Sequence, residues 1–436
     1  MKKIFSLFLV LVSTVVIFTG CQDKSDLVAP AAPTATGANF TRFVAVGNSL
    51  TAGYQSGSLF ESAQMYAYPK LMANQMQTTF AFPNVGAPGT KGRIEVATIT
   101  PSFSSYTNPN SGPLLNATYP LPYNNLGIPG ALLNDFMTAY DSLSCTAAML
   151  GGSPNPMFNL VLRNQGGAKT TQWLQLKAQQ PTFVTFWLGS NDILGHAASG
   201  GTVPFTPVAA FTALYNQAMD SLKSLNCGVA VSNILDVAIT PLFTTVGGQL
   251  RLQGATHFFT SKGGVTSLVT LTNNMIILPA SALVAQGFGL SAAKPLPDNV
   301  VLDSAEILNI RTVTAQYNGV IKAAAEARGF VHVDMAAKLM QIAVAYATSG
   351  GLFIDGVKFS PVFITGNLFS LDGVHPSNQG HAIVANEFIT AINAKYSANI
   401  PLINVASIPG GLIFKQTPSG AIKPDYTPEM FNNILF

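Results

Sequence analysis

The chain has 436 residues with 22 Lys plus Arg against 19 Asp plus Glu, a formal net charge of +3, and only 9% charged against 48% apolar residues. Two of the cations, Lys2 and Lys3, sit in an apolar leader, so the remainder is close to neutral; this excludes a nucleic-acid partner, which needs clustered basic charge. The length exceeds one small domain and fits one large α/β domain with insertions, while low charge beside many apolar residues suits a large core and equally suits contact with lipid or carbohydrate.

Residues 1–20 have a basic start, an apolar middle and small residues before Cys21. The short, N-terminal apolar run predicts a signal peptide rather than a membrane span. Phe18-Thr19-Gly20-Cys21 resembles a bacterial lipobox, in which Cys21 is acylated, palmitate included, and becomes the new N-terminus; ordinary secretory cleavage leaving a free Cys is the alternative. Several acyl chains anchor firmly, which predicts a membrane-anchored lipoprotein of the cell envelope, periplasmic or surface-facing; the sequence does not say which membrane, the outer membrane included, holds the anchor. Residues 21–38, rich in Pro, Ala and Thr from Ala29 onward, read as a disordered tether.

The folded core is predicted over 39–396. Phe43-Val44-Ala45-Val46 is an apolar run closed by Gly47, the mark of a buried strand in a parallel sheet. Ligands sit outside the carboxyl ends of such strands, so Ser49 is offered at a crevice, either as a nucleophile or as the cap of the next helix. A long insertion, 55–123, is dense in Pro, Asn, Ser and Thr from Phe82 and is expected to shape one wall of that crevice; residues 67–76 read as a helix within it. Next comes Gly127-Ile128-Pro129-Gly130. Leu133, Phe136, Met137 and Tyr140 recur at helical spacing and predict a helix over 132–143.

A second apolar strand, 182–188, is closed by Gly189-Ser190-Asn191-Asp192, with His196 nearby as a candidate substrate contact. Thr206-Pro207 predicts a capped helix start, Cys227-Gly228 its end, and 229–237 a buried strand. An insertion over 240–298 contains the apolar segment 275–284, too short and Pro-interrupted to span a membrane; it reads as a lid over an acyl pocket or as a packed insertion. A helix over 311–328, ended by Gly329, leads into the strand 330–334, whose His332 reads as structural. His257 falls in the insertion and carries no reading. Residues 345–370 form a further insertion whose Gly- and aromatic-rich part, 349–367, is expected to border the site. The tail, 397–436, is expected to wrap the surface as irregular chain. Cys145 and Cys227 can pair in an oxidising compartment or remain buried thiols.

Near the end stands Leu371-Asp372-Gly373-Val374-His375-Pro376, with His381 ranked behind His375. An Asp three residues before a His can orient the imidazole through Nδ1–H and leave the other nitrogen to take a proton from a serine. The oxyanion that such a serine creates needs backbone N–H or Asn donors. No Cys/His spacing suggests a metal, and no cofactor or obligate protein partner is implied.

Alternating strands and helices predict a doubly wound α/β fold with parallel strands. The four blocks, in this order, resemble the GDSL/SGNH hydrolases, which are esterases, lipases and acylhydrolases. Gly47-Asn48-Ser49-Leu50 matches the first block, with Asn where many members have Asp; Gly130 matches the second, Asn191 the third, and Asp372 and His375 the last. The resemblance implies a three-layer α/β/α sandwich of flavodoxin-like type. It implies Ser49 as nucleophile, Gly130 and Asn191 completing the oxyanion hole, His375 as base and Asp372 as its support. The substrate class it implies is a carboxylic ester: an acylated lipid or glycan, or a small ester. Transfer to a sugar or lipid hydroxyl, and a lipid- or glycan-binding lipoprotein without turnover, are the alternatives.

Overall fold

The structure, a computed structural model, describes residues 32–98 and 103–415; the leader, Cys21 and most of the predicted tether lie outside the described residues. The elements below all belong to the compact unit that begins at Thr34.

Five short strands form the central sheet: β1 (Phe43–Gly47), β2 (Asn125–Gly127), β3 (Phe183–Trp187), β4 (Gly228–Ser232) and β5 (Val331–Val333). They lie in the order β2-β1-β3-β4-β5, all parallel, which is the flavodoxin-like doubly wound order. Successive side chains on a strand face opposite ways, and the core divides accordingly. Val44, Val46, Val184, Phe186, Val229 and Val231 point into one apolar layer, with α2 (Gln172–Ala178), α4 (Val208–Lys223) and α6 (Ser304–Ala327) against it. Phe43, Ala45, Phe183, Trp187, Val331 and Val333 point into the other, against α1 (Tyr68–Gln75), α7 (Met335–Ser349) and α8 (Asn378–Tyr396). The chain is therefore a three-layer α/β/α sandwich.

Local chemistry moved several boundaries. The helix expected over 132–143 is a single turn, Asp135–Thr138. Its apolar residues are buried, but side chains claim the backbone instead: Asp135 accepts the Leu132 and Thr146 N–H groups, and Ser144 Oγ accepts those of Tyr140 and Asp141. Such local bonds compete with helix formation. Thr206 does not cap α4, which starts at Val208; its hydroxyl donates to Asp192. The strand expected to reach residue 237 ends at Ser232, because Asn318 takes both backbone groups of Ile234. α6 begins at Ser304, seven residues before the expected Arg311, on a capping box made by Asp303 and Glu306. Cys145 and Cys227 are both free; Cys145 is buried with its thiol donating to the Ser142 carbonyl.

The region after β4 builds a third apolar core of its own. It gathers α5 (Pro241–Leu252), a hairpin of His257–Lys262 with Val265–Thr270, and Ile276, Leu278 and Val284. The segment 275–284 is thus a packed insertion and not a lid. Leu371, beside the Asp372–His375 turn, is buried in the same core. Residues 349–367 contain the hairpin Leu352–Ile354 with Val357–Phe359 and do not line the crevice that holds Ser49, contrary to expectation. The chain from 401 to 415 runs along the surface, held by Gln75 and Asn386 and bridged to Val96. No helix among the described residues is long and apolar enough to cross a membrane.

The buried face of α8 generates two predictions. Phe388 stacks on Tyr68 at 5.0 Å and meets the edge of Trp187 at 6.1 Å, tying α8 and α1 to β3. Replacing it with Ala should cost about 3–5 kcal/mol in urea denaturation; a loss below about 1 kcal/mol would show that this cluster is not a principal clamp. His381, in the first turn of α8, is fully buried with neither ring nitrogen hydrogen-bonded. Burial, with a smaller contribution from the charge of His375, lowers its pKa to about 3. The unfolded chain takes up this proton near pH 6.5 and the folded chain only near 3, so the stability is whole above about 6.5 and is lost as pH falls towards 3, by roughly 1.4 kcal/mol per pH unit. Between pH 7 and pH 4 the wild type should lose roughly 3 kcal/mol more than His381→Met. Equal losses in the two proteins would contradict a neutral buried ring.

Candidate active site

The ends of β1, β2 and β3 lie in register, with Gly47 opposite both Gly127 and Trp187. The loops that leave them emerge together at the carboxyl edge of the sheet. The strand order reverses between β1 and β3, which is where ligands bind in open α/β sheets. A larger depression of about 890 Å³, lined by Arg42, Lys177 and Cys227 among others, lies where the chain enters β1, β3 and β4 and contains none of the predicted site residues.

A Cβ on Gly47 would lie 2.0 Å from Thr51 Oγ1 and 2.8 Å from the Trp187 carbonyl oxygen. Only glycine lets the chain turn this close to β3. Asn48 Oδ1 then accepts the Leu50 N–H at 3.1 Å and opens the helical turn Ser49–Ala52. The amide oxygen supplies the capping acceptor that an Asp would supply, so the departure from the family pattern at Asn48 keeps this cap. Ser49 is 7% exposed, and its Oγ lies 2.8 Å from His375 Nε2.

His375 is held on its other side by Asp372, whose Oδ2 lies 3.0 Å from Nδ1. With the proton on Nδ1 facing this carboxylate, Nε2 presents its lone pair to the Ser49 hydroxyl. Asp372 also accepts the N–H groups of Val374, His375 and Gly57. Burial alone would raise its pKa; the charge of His375 and the hydrogen bonds from His375 and Val374 outweigh burial and bring it to about 2. The carboxylate therefore stays ionised across the physiological range. Tyr54 covers the imidazole at a ring separation of 5.0 Å. Its phenol is pushed up to about 12 by burial and then by the charge of Asp372, so it stays neutral.

The second loop is pinned to the first. Ile128 N–H donates to the Gly47 carbonyl, Asn155 Nδ2 donates to the Pro129 carbonyl at 2.8 Å, and Asn191 Nδ2 donates to the Ala131 carbonyl at 2.9 Å. Gly130, between these anchors, has φ +80°, and a Cβ there would meet Asn155 Nδ2 at 2.8 Å. Asn191 starts α3 (Asn191–Ala198) and shares a narrow crevice with Ser49 and His375, walled by Leu194, Leu235, Val237 and Thr240. A primary amide has two N–H donors, so Asn191 can hold the Ala131 carbonyl and still face a ligand.

The structure thus gathers Ser49, Asn191 and His375 at one crevice, sets Asp372 behind His375 and ties the loop of Gly130 to Asn191 through Ala131, while Cys21 lies outside the described residues. Sequence reasoning singled out neither Asn155 nor Gly57, nor Asp192, whose carboxylate accepts the Leu133 N–H at 2.9 Å and the Thr206 hydroxyl at 2.7 Å. Burial raises the Asp192 pKa to about 6 against those two bonds. Its place beside Asn191 was the available signal; Asn155 had none. His196 turns away into a bond with the Val203 carbonyl at 2.7 Å, with Phe205 at its ring edge, and lines no part of the crevice that holds Ser49. Among the described residues no group of His, Cys, Asp or Glu is placed to hold a metal ion.

Residues 43–388 match the family described as GDSL-like lipase/acylhydrolase. Among solved structures, the chain is similar to LAE5, an alpha/beta hydrolase enzyme from the metagenome of Lake Arreo, Spain, at 11% identity and a TM-score of 0.37, covering 83% of this chain and 98% of that one. It is also similar to Axe2, an acetylxylan esterase from Geobacillus stearothermophilus, at 14% identity and a TM-score of 0.36, covering 82% and 96%. The acetyl xylan esterase AlAXEase follows at 13% identity and a TM-score of 0.34, covering 80% and 98%. No curated protein matches the chain.

Proposed function

The chain belongs to the GDSL-like lipase/acylhydrolase family and is a hydrolase of ester bonds; from that premise we propose that it works through an acyl-enzyme on Ser49, as an envelope lipoprotein. The observation that carries this reading is the unbroken relay from Asp372 through His375 to Ser49, at 3.0 and 2.8 Å. His375 Nε2 removes the Ser49 proton as Oγ bonds to the carbonyl carbon of the ester. The negative charge that grows on the carbonyl oxygen is met by the N–H groups of Ser49 and Gly130 and by the Asn191 amide. The intermediate collapses as the carbon–oxygen bond to the alcohol breaks, and the protonated His375 gives its proton to the departing oxygen. Water, deprotonated by the same nitrogen, then attacks the acyl carbon and releases the acid and free Ser49. Asp372 stays ionised throughout and holds the imidazole in the tautomer this sequence needs.

The envelope location rests on the leader and the Phe18–Cys21 pattern, with acylated Cys21 as the anchor. Transfer of the acyl group to a sugar or lipid hydroxyl uses the same intermediate, and product analysis with an added alcohol separates it from hydrolysis. A binding protein without turnover has no use for a serine within hydrogen-bond reach of an oriented histidine.

Ser49→Ala should abolish hydrolysis of p-nitrophenyl acetate and labelling by a fluorophosphonate while the far-ultraviolet circular dichroism stays unchanged; a folded variant with undiminished turnover would refute the nucleophile. Asn191→Ala should keep fluorophosphonate labelling and lower kcat by about 10²–10³. A loss below about threefold would remove Asn191 from the oxyanion site.

A further inference from the structure

A second cavity opens off the crevice. It has a volume of about 860 Å³ and shares Asn191 and Leu194 with the pocket that holds Ser49 and His375. It also reaches Gly130, the other oxyanion residue. The size falls within the roughly 300–1,000 Å³ of sites that bury a small organic ligand. One wall is a face of α3: Asn191, Leu194, Gly195 and Ala198 recur at helical spacing along it. The facing walls carry Leu132, Leu150, Val203 and Phe205. Leu150 is 80% exposed and Val203 49%, so the groove carries exposed apolar side chains at its rim. Grouped exposure of this kind marks a binding surface more often than a lone exposed Leu does. His196 buttresses the far wall through its bond to Val203.

We propose that this groove takes the acyl chain of the substrate, and that the natural ester carries a medium or long unbranched acyl group rather than acetyl. The inference rests on the serine-ester reading above and adds the substrate class. Stereochemistry assigns the occupant. His375 must protonate the leaving oxygen, so the alcohol lies on the His375 side of the carbonyl carbon. The acyl chain, the other substituent, leaves on the opposite side. The groove joins the site at Asn191 and Gly130 and includes neither His375 nor any residue of its turn. An acetyl group would end before Leu194 and leave the apolar walls wet.

Gly195 is the test position. A Cβ built there meets nothing within 4 Å, its backbone is helical, and Gly to a larger residue in a helix carries no propensity penalty. Gly195→Phe should therefore fold and fill the groove. kcat/KM is measured for p-nitrophenyl acetate, butyrate and octanoate below their micelle concentrations. The wild type should gain roughly two- to fourfold per added methylene over the part of the chain that is buried, and at least about tenfold from acetate to octanoate. Gly195→Phe should lower the octanoate-to-acetate ratio by about tenfold or more, whereas Gly195→Ala should leave most of it. A wild-type rate that falls steadily from acetate to octanoate, or a ratio unmoved by Gly195→Phe, overturns the assignment while leaving ester hydrolysis intact. If no ester is turned over, the serine-ester reading fails and the groove is judged separately by calorimetry of dodecanoate with Ser49→Ala. Binding that Gly195→Phe abolishes supports the groove, and absent or unaffected binding overturns it.

Discussion

The site depends on the crowding at the end of β1. The chain must leave the sheet between Trp187 and Thr51 with no room for a side chain at Gly47, turn within one residue, and deliver Ser49 at the place where the strand order changes direction. Every other part of the site is referred to that point. Ile128 bonds to the Gly47 carbonyl and so fixes the loop of Gly130; Gln172 bonds to the Gly47 and Leu126 carbonyls and closes the gap between the two strand ends from behind. A parallel sheet leaves its strand-end carbonyls and amides without partners in the sheet, and buried groups of that kind must be paired. Here the pairing is done by the loops that carry the chemistry, so satisfying the sheet and assembling the site are one act.

The histidine comes from the far end of the chain and needs its own support. The turn of Asp372 and His375 is gripped from three directions. Ser56 and Gly57 bond to Ser370 and Asp372, the Leu242 N–H at the start of α5 bonds to the Gly373 carbonyl, and Gln55 bonds to Asn378 at the start of α8. Leu371 drops into the third core. The insertion after β4 therefore holds the base at its distance from Ser49, which is why it packs tightly where a lid would have to stay loose. An acyl group can reach the serine from the side of α3 without disturbing that grip, since the open groove lies on the other side of the oxyanion residues.

Much of this was legible in the residues. The apolar runs before Gly47 and Gly189 identified two parallel strands because a strand buried on both faces needs no alternation, and the Ser49, Gly130, Asn191, Asp372 and His375 blocks were readable because each carries its residue type at a turn. The failures share one cause. The spacing of Leu133, Phe136, Met137 and Tyr140 satisfies a helix, yet Asp135 and Ser144 bond to the backbone first. Thr206 has the identity of a cap but spends its hydroxyl on Asp192. The strand after Cys227 stops where Asn318, 84 residues away in sequence, takes the backbone of Ile234. In each case a polar side chain competes for a backbone group, and the outcome turns on tertiary neighbours that periodicity does not encode. Asn155 is the extreme case: an asparagine in a loop, with nothing beside it in sequence to tie it to Pro129.

The same habit explains how a chain with so few charges builds a precise polar site. Its internal struts are amides. Gln64, Asn125, Asn155, Gln172, Gln175, Asn233 and Asn318 all donate to carbonyls or carboxylates within the fold. An amide offers donors and an acceptor without a net charge, so burying it costs far less than burying an ion, and it does not titrate. Three ionisable groups sit where their charge or neutrality matters: Asp372 kept ionised against His375, Asp192 bridging two loops, and His381 held neutral in the first turn of α8. Amides therefore hold the shape of the crevice across a wide pH range.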